Sequence, residues 1–354
     1  MNKKIIWTVV VVIIILIIIV IISNVAPSHK TGSKEFVIGG ALSMTGPAAV
    51  WGETVKNGME LALQDKPGLK LIVEDTKGTP ADGVSAFNRL QLGGVDLTIS
   101  ELSSVSAPLA KVALQQKRPL LITLSTAGGI TNEYTVRYYT NPVTYSAPSF
   151  SSSSPVMDSG VKKIAVLFRN DELGATVKDR IVELAAQNKK DIVFLEAFKQ
   201  NETDYLTAIT KVKASGAQAF LFIDSTPGEA VGIVKMATQL KLNIPVIEAS
   251  AVFADLGNRA QVASSTFYAT SFDFTVKGNS EGFKQRYKAA YGKDPGFGAA
   301  FGYDMVAIIS DCVNSKQEII KCISNMDHYD GVAGRGVRTG PGDFSVTMHL
   351  EKVN

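Results

Sequence analysis

The sequence predicts an α/β protein made of two successive lobes, each with a parallel sheet between helices. Eight short apolar runs of strand character fall into two groups, at 36–38, 69–73, 95–99 and 119–123 and again at 163–168, 191–195, 217–223 and 244–247. Segments with helical periodicity separate these runs. Strands that alternate with helices form parallel sheets, so each group is expected to form a sheet of its own.

The helix that follows the opening strand has one apolar face in both halves of the chain. The residues on these faces are Val55, Met59, Ala62 and Leu63 in the first half and Val177, Ile181, Leu184 and Ala185 in the second. A spacing of i, i+4, i+7 and i+8 places side chains on one side of a helix. Both lobes are therefore predicted to be Rossmann-like.

The chain is expected to cross between the lobes three times and so to form a hinge. Two β-rich runs, at 136–140 and 266–274, are the first two crossings, because helical patterns resume at 278–291. A third crossing is placed near 330–340. The resulting bounds are 35–143 and 275–329 for lobe one, and 144–274 and 330–354 for lobe two.

Two segments are predicted to be irregular. Residues 146–159 are polar and rich in serine, which is typical of a flexible connector. The stretch GRGVRTG at 334–340 superficially resembles a dinucleotide-binding loop, but its glycine spacing is wrong and it does not follow the first strand. A turn between strands is predicted there instead.

Residues 1–25 are predicted to be a membrane anchor or a signal. Lys3 and Lys4 precede residues 5–22, where Thr8 is the one polar residue, and this length can cross a bilayer at about 1.5 Å per residue. A secretory signal has a shorter apolar region, of about 7–15 residues. An uncleaved N-terminal transmembrane helix is therefore favoured, followed by a linker at 26–34. The two lysines place the N-terminus in the cytoplasm and the lobes outside it.

Charge and motifs argue against two classes of function. The chain has a net charge of +3, but its first 30 residues contain three lysines and no acid, so the remainder is neutral and has no basic patch for nucleic acid. His29, His328 and His349 are too few and too scattered for a metal site. Nucleophile-elbow, phosphate-loop and CxxC motifs are absent from the sequence, so no enzyme activity and no cofactor is predicted.

The order of several segments carries a family resemblance. These segments are IGGALSMTGPAAVWGE (38–53), VEDTKGTPADGVSAFNRL (73–90), PLLITLSTAGGIT (119–131), KIAVLFRNDELGATV (163–177), FKQRYKAAYGKDP (283–295) and GYDMVA (302–307). Together they resemble the leucine-binding family of type I periplasmic binding proteins, which bind branched-chain amino acids and similar solutes. The resemblance implies two lobes that close over a small solute, and delivery of that solute to an ABC-type permease in the membrane.

Candidate ligand contacts in lobe one come from the strand ends and from the resemblance. Ser43 and Thr45 follow the first strand, where ligands bind in open α/β sheets, although capping of the next helix is the alternative. The resemblance places Ser104, Ser125 and Thr126 at the solute's carboxylate. It places Trp51 where the family has an aromatic side chain over the ligand.

Lobe two departs from the family pattern. Ser250 occupies the position of the acid that pairs with a ligand ammonium, Leu173 replaces an aromatic residue, and Ser225 replaces a tyrosine. Asp224 or Glu248 is expected to supply the acid, because a buried ammonium without a partner costs several kcal/mol. The predicted ligand is thus a small carboxylate-bearing, amino-acid-like solute. A ligand-sensing receptor of the same fold and an extracytoplasmic enzyme are the alternatives.

Cys312 and Cys322 are the two cysteines of the chain. An even pair outside the cytoplasm suggests a disulfide, and the spacing across a predicted helix end allows one. Two buried thiols are the alternative.

Overall fold

A computed structural model describes residues 35–200, 202–252, 266–272 and 280–353. The compact unit Phe36–Asn354 contains all of the helices and strands given below. The predicted anchor at 1–25 and the predicted linker at 26–34 lie outside the described residues. Within the described ranges, no helix combines the length and the apolarity needed to span a bilayer.

The first sheet has eight strands in the order β11-β12-β13-β5-β4-β3-β1-β2. These strands are β1 (Phe36–Leu42), β2 (Leu69–Asp75), β3 (Leu97–Glu101), β4 (Leu120–Thr123), β5 (Thr135–Tyr139), β11 (His328–Gly331), β12 (Gly334–Gly340) and β13 (Asp343–Val346). Neighbouring strands from β2 to β13 pair in parallel, whereas β12 and β11 are antiparallel to their neighbours.

The second sheet has six strands in the order β14-β10-β9-β8-β6-β7. These strands are β6 (Lys163–Arg169), β7 (Asp191–Phe198), β8 (Ala219–Ile223), β9 (Val246–Glu248), β10 (Phe267–Phe272) and β14 (Met348–Lys352). All pairs are parallel except β10 with β14. Both sheets therefore contain antiparallel edge strands in addition to the predicted parallel core.

The helices lie between and around these strands. They are α1 (Ala49–Leu63), α2 (Pro80–Leu92), α3 (Ser103–Gln116), α4 (Pro142–Ser146), α5 (Glu172–Gln187), α6 (Leu206–Ala214), α7 (Pro227–Gln239), α8 (Ser280–Tyr291), α9 (Phe297–Asn314) and α10 (Ile319–Asn325). We call the first sheet with α1–α3 and α8–α10 the first lobe, and the second sheet with α5–α7 the second lobe.

All eight predicted strands are present, but the C-terminal part of the chain differs from the expectation. Residues 328–346 form three strands of the first sheet, whereas the sequence predicts that residues 330–354 belong to lobe two, and only β14 joins the second sheet there. The last crossing is Thr347, not residues 330–340. The GRGVRTG stretch is strand β12 itself, not a turn. Its alternately exposed, glycine-rich residues lack the apolar pattern by which the other strands were predicted.

The serine-rich segment 146–159 is more ordered than predicted. It contains two short 3₁₀ helices, Ala147–Phe150 and Pro155–Met157. Ser149 and Ser154 are buried, and the Ser154 hydroxyl donates a hydrogen bond of 2.7 Å to the carbonyl oxygen of Ser149. The segment is a packed crossing between the sheets, and the hydroxyl groups of Ser151 and Ser154 donate to backbone carbonyl oxygens within it.

An aromatic cluster joins the two lobes beneath the crossings. Tyr139 ends β5 of the first sheet and Phe272 ends β10 of the second, and their ring centroids are 5.3 Å apart. Phe297 and Phe301 of α9 contact both rings, with centroid distances of 5.0–6.3 Å. The crossings are thus fixed by packing at one point, and the sheet ends beyond them lie on either side of a cleft.

Gly52 and Gly174 occupy equivalent positions in the two lobes, in the first helix after the opening strand. A Cβ atom on Gly52 of α1 would lie 2.1 Å from the carbonyl oxygen of Ser43, just after β1. A Cβ atom on Gly174 of α5 would lie 1.8 Å from the carbonyl oxygen of Arg169, at the end of β6. In both lobes, the absent side chain lets the first helix pack directly on the exit of the opening strand.

The structure joins Cys312 of α9 to Cys322 of α10 by a disulfide, with the Cα atoms 5.7 Å apart. The bond closes a short loop between two helices of the first lobe. This loop lies away from the cleft, so the disulfide is structural.

Candidate functional site

A cavity of about 990 Å³ lies between the carboxyl ends of the parallel strands of the two sheets. In the first sheet the strand order reverses between β1 and β3, and in the second between β6 and β8. Ligands of open α/β sheets bind at such switch points. Both switch points of this protein contribute to the cavity wall, through Leu102–Ser104 after β3, Arg169 at the end of β6 and Ser225 after β8.

Strained backbone surrounds the cavity. Four non-glycine residues have φ in the left-handed region within three residues of a strand end: Lys77 (φ 50°), Leu102 (64°), Leu124 (46°) and Ala251 (58°). The first three line the cavity, and Ala251 lies between two lining residues, Ser250 and Val252. Such conformations cost about 1–3 kcal/mol each and persist where the surrounding structure holds them, often at functional sites.

The first lobe presents uncapped helix N-termini to the cavity. Helices α1, α3 and α9 begin after Ala48, Leu102 and Gly296, and no side chain caps any of the three. All three helices have lining residues in or next to their first turn, among them Ser103, Ser104 and Phe297. Some first-turn amides of α1 and α9 bond to backbone carbonyl oxygens, as that of Ala49 does to Gly46 and that of Ala299 to Gly296. The remaining amides and the helix dipole attract anions. The first lobe is therefore the anion-attracting wall.

The helices of the second lobe begin differently. The carboxylate of Asp171 accepts a hydrogen bond of 2.8 Å from the amide of Gly174 and so caps α5. The hydroxyl of Thr226 caps α7 by accepting a hydrogen bond from the amide of Glu229. Because their own side chains satisfy these amides, the helix ends of the second lobe offer less to an anion.

An aromatic wall covers the inner end of the cavity. The indole of Trp51 stacks on Phe297, with centroids 5.2 Å apart and planes inclined by 23°. Tyr139 and Tyr145 also line the cavity, and the Tyr145 hydroxyl donates a hydrogen bond to the carbonyl oxygen of Ser250. This wall suits the apolar or aromatic part of a ligand.

A buried charged cluster lies on the second-lobe wall. The guanidinium of Arg169 is 3.3 Å from Glu229 (Nη1 to Oε2), and its Nε is 3.0 Å from Oδ2 of Asp171 in an ion pair that is not aligned as a hydrogen bond. The hydroxyl of Ser225 donates to the same Asp171 oxygen at 3.1 Å. With two carboxylates to one guanidinium, the cluster has a net negative charge and suits a cationic group.

Of the residues predicted from the sequence, five line the cavity: Trp51, Ser104, Leu173, Ser225 and Ser250. Ser104 comes from the first turn of α3, and its hydroxyl donates to the carbonyl oxygen of Gly78 at 3.2 Å. Leu173 comes from the first turn of α5. Ser225 and Ser250 follow β8 and β9, and Trp51 lies in the first turn of α1. All five therefore lie on the side of the sheets where the parallel strands end.

Four predicted residues of the first lobe lie outside the cavity wall. Ser43 is buried and pairs with Thr76 through its hydroxyl at 3.1 Å. Thr45 is exposed and donates to Asp75 at 2.5 Å, which closes the turn after β1. Ser125 and the amide of Thr126 are buried against the hydroxyl of Ser103. These four residues shape the loops at the strand ends. Their neighbour Ser103, which was not predicted, lines the cavity.

The two acids expected to face a ligand ammonium are also turned away from the cavity. Asp224 is fully buried and accepts a hydrogen bond from the Ser250 hydroxyl, and burial raises its pKa to about 8. Glu248 is fully buried and accepts a hydrogen bond of 2.6 Å from the amide of Val252. Both carboxyl groups hold the loop after β9, because the buried amide and hydroxyl there need acceptors.

The sequence did not single out most of the charged and aromatic lining residues. No motif in the sequence marks Arg169, Tyr139, Tyr145 or Phe297, and only the folded topology brings them together. Asp171 could have been predicted as a lining residue, because it follows strand β6 of the second lobe at the switch point. Across the described ranges, no group of three or more His, Cys, Asp or Glu side chains is arranged to hold a metal ion.

Comparison with known proteins gives a consistent result. Residues 35–351 match the family model described as "Periplasmic binding protein". A curated relative, the Leu/Ile/Val-binding protein homolog 3 of Brucella melitensis, is 27% identical over 205 residues. That alignment covers 53% of this chain and 54% of the relative, so it spans about half the length of each protein.

Two solved structures share the fold over nearly the whole chain. The branched-chain amino acid transporter substrate-binding protein LivJ from Streptococcus pneumoniae, in complex with isoleucine, has a TM-score of 0.78 at 20% identity and covers 91% of this chain and 97% of its own. A solute-binding protein of an ABC transporter from Rhodopseudomonas palustris, in complex with 3,4-dihydroxybenzoic acid, has a TM-score of 0.76 at 18% identity, with 90% and 93% coverage.

Proposed function

The chain belongs to the periplasmic binding protein family, and from this we propose that it captures a small carboxylate-bearing solute between its lobes and delivers it to an ABC-type permease. The observation that carries the proposal is the cavity between the two lobes, with three uncapped helix N-termini on one wall and a negatively charged cluster on the other.

The carboxylate is assigned to the first turn of α3. Ser103 and Ser104 both line the cavity there, and the N-terminal amides of this helix lack a side-chain cap. Charge-assisted hydrogen bonds from amides and a hydroxyl are the usual way to hold a carboxylate without a basic side chain. Ser103 accepts from Thr126 and keeps its own proton to donate. Ser104 donates to the carbonyl oxygen of Gly78 in the structure and would exchange that acceptor for the carboxylate of the solute.

The rest of the solute is assigned to the aromatic wall and the second lobe. Trp51 and Phe297 offer flat apolar surfaces, and Asp171 supplies the carboxylate for an ammonium group, in place of Asp224 or Glu248. An α-amino acid with an apolar or aromatic side chain uses all three features. An aromatic acid without an amine would use the first two, as the ligand of the R. palustris relative illustrates.

Capture requires contacts that differ between the open and closed forms. In the structure, Trp51 of the first lobe bonds to the backbone of Ser225 in the second, and helices α3 and α5 contact each other. We assign these contacts to the closed form, with the three crossings as a hinge. The permease would recognise that closed surface.

The protein is proposed to work outside the cytoplasm, attached to the membrane. Membership of the family and the disulfide between Cys312 and Cys322 both favour an extracytoplasmic location. The apolar run at 5–22 supports an uncleaved anchor, as the sequence indicates.

Isothermal titration of the purified full-length protein tests the proposal. Apolar and aromatic α-amino acids, the corresponding acids without an amine and neutral sugars would be titrated in parallel. Saturable binding of a carboxylate compound with recovery of the unchanged ligand is expected. Binding of sugars alone would refute the carboxylate assignment, and chemical turnover of the ligand would indicate an enzyme.

A further inference from the structure

The cavity is larger than a free amino acid needs. Its volume of about 990 Å³ is at the upper end of the range of roughly 300–1,000 Å³ found for drug-sized ligands. Its length follows helix α3, because lining residues recur along one face of that helix: Ser104, Ala107, Pro108, Lys111, Val112 and Gln115. At 1.5 Å per residue, this stripe is about 16 Å long.

Lys111 is the distinctive residue of the outer half. It lies seven positions after Ser104, which places both side chains on the same face of α3 with about 10 Å between them along the axis. Two other basic side chains line the cavity, and both are paired: Lys77 with Asp82 at 3.3 Å and Arg169 with Asp171 and Glu229. Lys111 is exposed and forms no ion pair with any residue that the structure describes.

We propose that Lys111 forms an outer subsite for a second anionic group, so that the solute is an elongated dianion whose two acidic groups lie about 10 Å apart. This inference rests on the proposed function, because the first carboxylate is the one assigned to the start of α3. Gln115, one turn further along, can donate a hydrogen bond to the same distal group.

Glu172 gives Lys111 a competing role that the experiment must separate. It lines the same cavity from the first turn of α5, and α5 contacts α3. Lys111 and Glu172 form no ion pair in the structure, but a closer approach of the two lobes around a ligand would let them pair. Such a pair would act on closure itself and would strengthen the binding of every ligand equally, whereas a subsite acts only on ligands with a distal anion.

The test is a titration of the full-length protein with two ligand series of increasing chain length. One series contains 2-amino dicarboxylic acids and the other 2-amino monocarboxylic acids of the same length, and both are repeated without the amino group. We expect dicarboxylates of one favoured length to bind about two- to fivefold more tightly than their monocarboxylate counterparts, as for a solvent-exposed ion pair. That advantage should shrink at high salt.

Lys111→Gln should remove the advantage of the dicarboxylates and leave monocarboxylate affinity unchanged. Lys70→Gln, which changes an exposed lysine of β2 outside the cavity, is the matched control and should alter neither series. Equal weakening of both series by Lys111→Gln would overturn the subsite in favour of a closing pair with Glu172. Monocarboxylates that bind as tightly as dicarboxylates would also overturn it. Failure of both series to bind would refute the proposed function as well.

Discussion

The indole nitrogen of Trp51 donates a hydrogen bond of 3.0 Å to the carbonyl oxygen of Ser225, which links the two lobes directly across the cleft. The Trp51 side chain is only 3% exposed, and its ring stacks on the ring of Phe297. The same side chain therefore belongs to the aromatic wall of the site and to the contact that closes it. Separation of the lobes would break the bond and expose the ring to water.

Trp51 should report ligand binding by fluorescence. The chain has one other tryptophan, Trp7, which lies in the N-terminal apolar run. We expect ligand to shift the emission of the full-length protein to shorter wavelength, because closure moves the Trp51 indole out of water.

Trp51→Phe keeps an aromatic ring but removes the indole donor. It should abolish the shift and weaken binding by about 0.5–1.5 kcal/mol, the net value of one hydrogen bond. An unchanged shift in this variant would mean that Trp51 does not follow closure.

Ser104→Ala should weaken binding without unfolding the protein. The Ser104 hydroxyl lines the cavity at the start of α3, and its loss removes a hydrogen bond to a charged group, worth about 1.5–3 kcal/mol. Isothermal titration should therefore show a decrease in affinity of at least tenfold. Ser85→Ala, on the exposed side of α2, is the control, since its hydroxyl bonds only to the carbonyl oxygen of Ala81. Equal affinities for the two variants would place the carboxylate elsewhere.

Asp171→Asn should separate ligands with an amine from those without one. The asparagine oxygen can still cap α5 through the amide of Gly174, but the negative charge is lost. The affinity for α-amino acids should decrease about tenfold or more, from the loss of a charge-assisted bond, while acids without an amine should bind equally well or better.

Glu248→Gln is the matched variant for Asp171→Asn. It makes the same carboxyl-to-amide change at a group that is buried away from the cavity, and the glutamine oxygen can still accept from the amide of Val252. Ligand affinity should not change. If Glu248→Gln weakens amino-acid binding and Asp171→Asn does not, the ammonium is held from the loop after β9, as the sequence predicts.

The contrast between Asp171 and Glu248 shows how far the sequence predicts the site. Apolar and β-rich runs located the ten strands β1 to β10, since burial in a sheet leaves a strong signal. The same patterns located the strand ends and hence the loops of the cavity. They could not show which way each side chain turns within a loop, because that depends on which buried amides need an acceptor. Strands β11 and β12 escaped because exposed, polar strands at a sheet edge have little apolar pattern. Strand β13 escaped because it is only four residues long, although three of them are buried.

Glu101 should make stability depend on pH. It ends β3 beside the cavity and is fully buried, and its Oε1 accepts a hydrogen bond of 2.7 Å from the amide of Ser43. Burial raises the pKa of its carboxyl group to about 7, from an ordinary value of 4.5. Between these two values, the folded protein keeps a proton that the unfolded chain has lost. The contribution of Glu101 to stability is therefore greatest below pH 4.5 and is lost as the pH rises through 7.

Glu101→Gln should remove this part of the pH dependence, because glutamine keeps the acceptor for Ser43 but does not titrate. Urea unfolding from pH 5 to pH 8 should show a smaller decrease in the free energy of unfolding for the variant than for the unchanged protein. The buried amide lowers stability at every pH, so the slope and not the absolute value is diagnostic.

The other buried acids with raised pKa values, Asp224 and Asp304, are present in both proteins and cancel in the comparison. Glu53→Gln, at an exposed position of α1, should leave the slope unchanged. Parallel slopes for Glu101→Gln and the unchanged protein would show that Glu101 is ionised in the folded state.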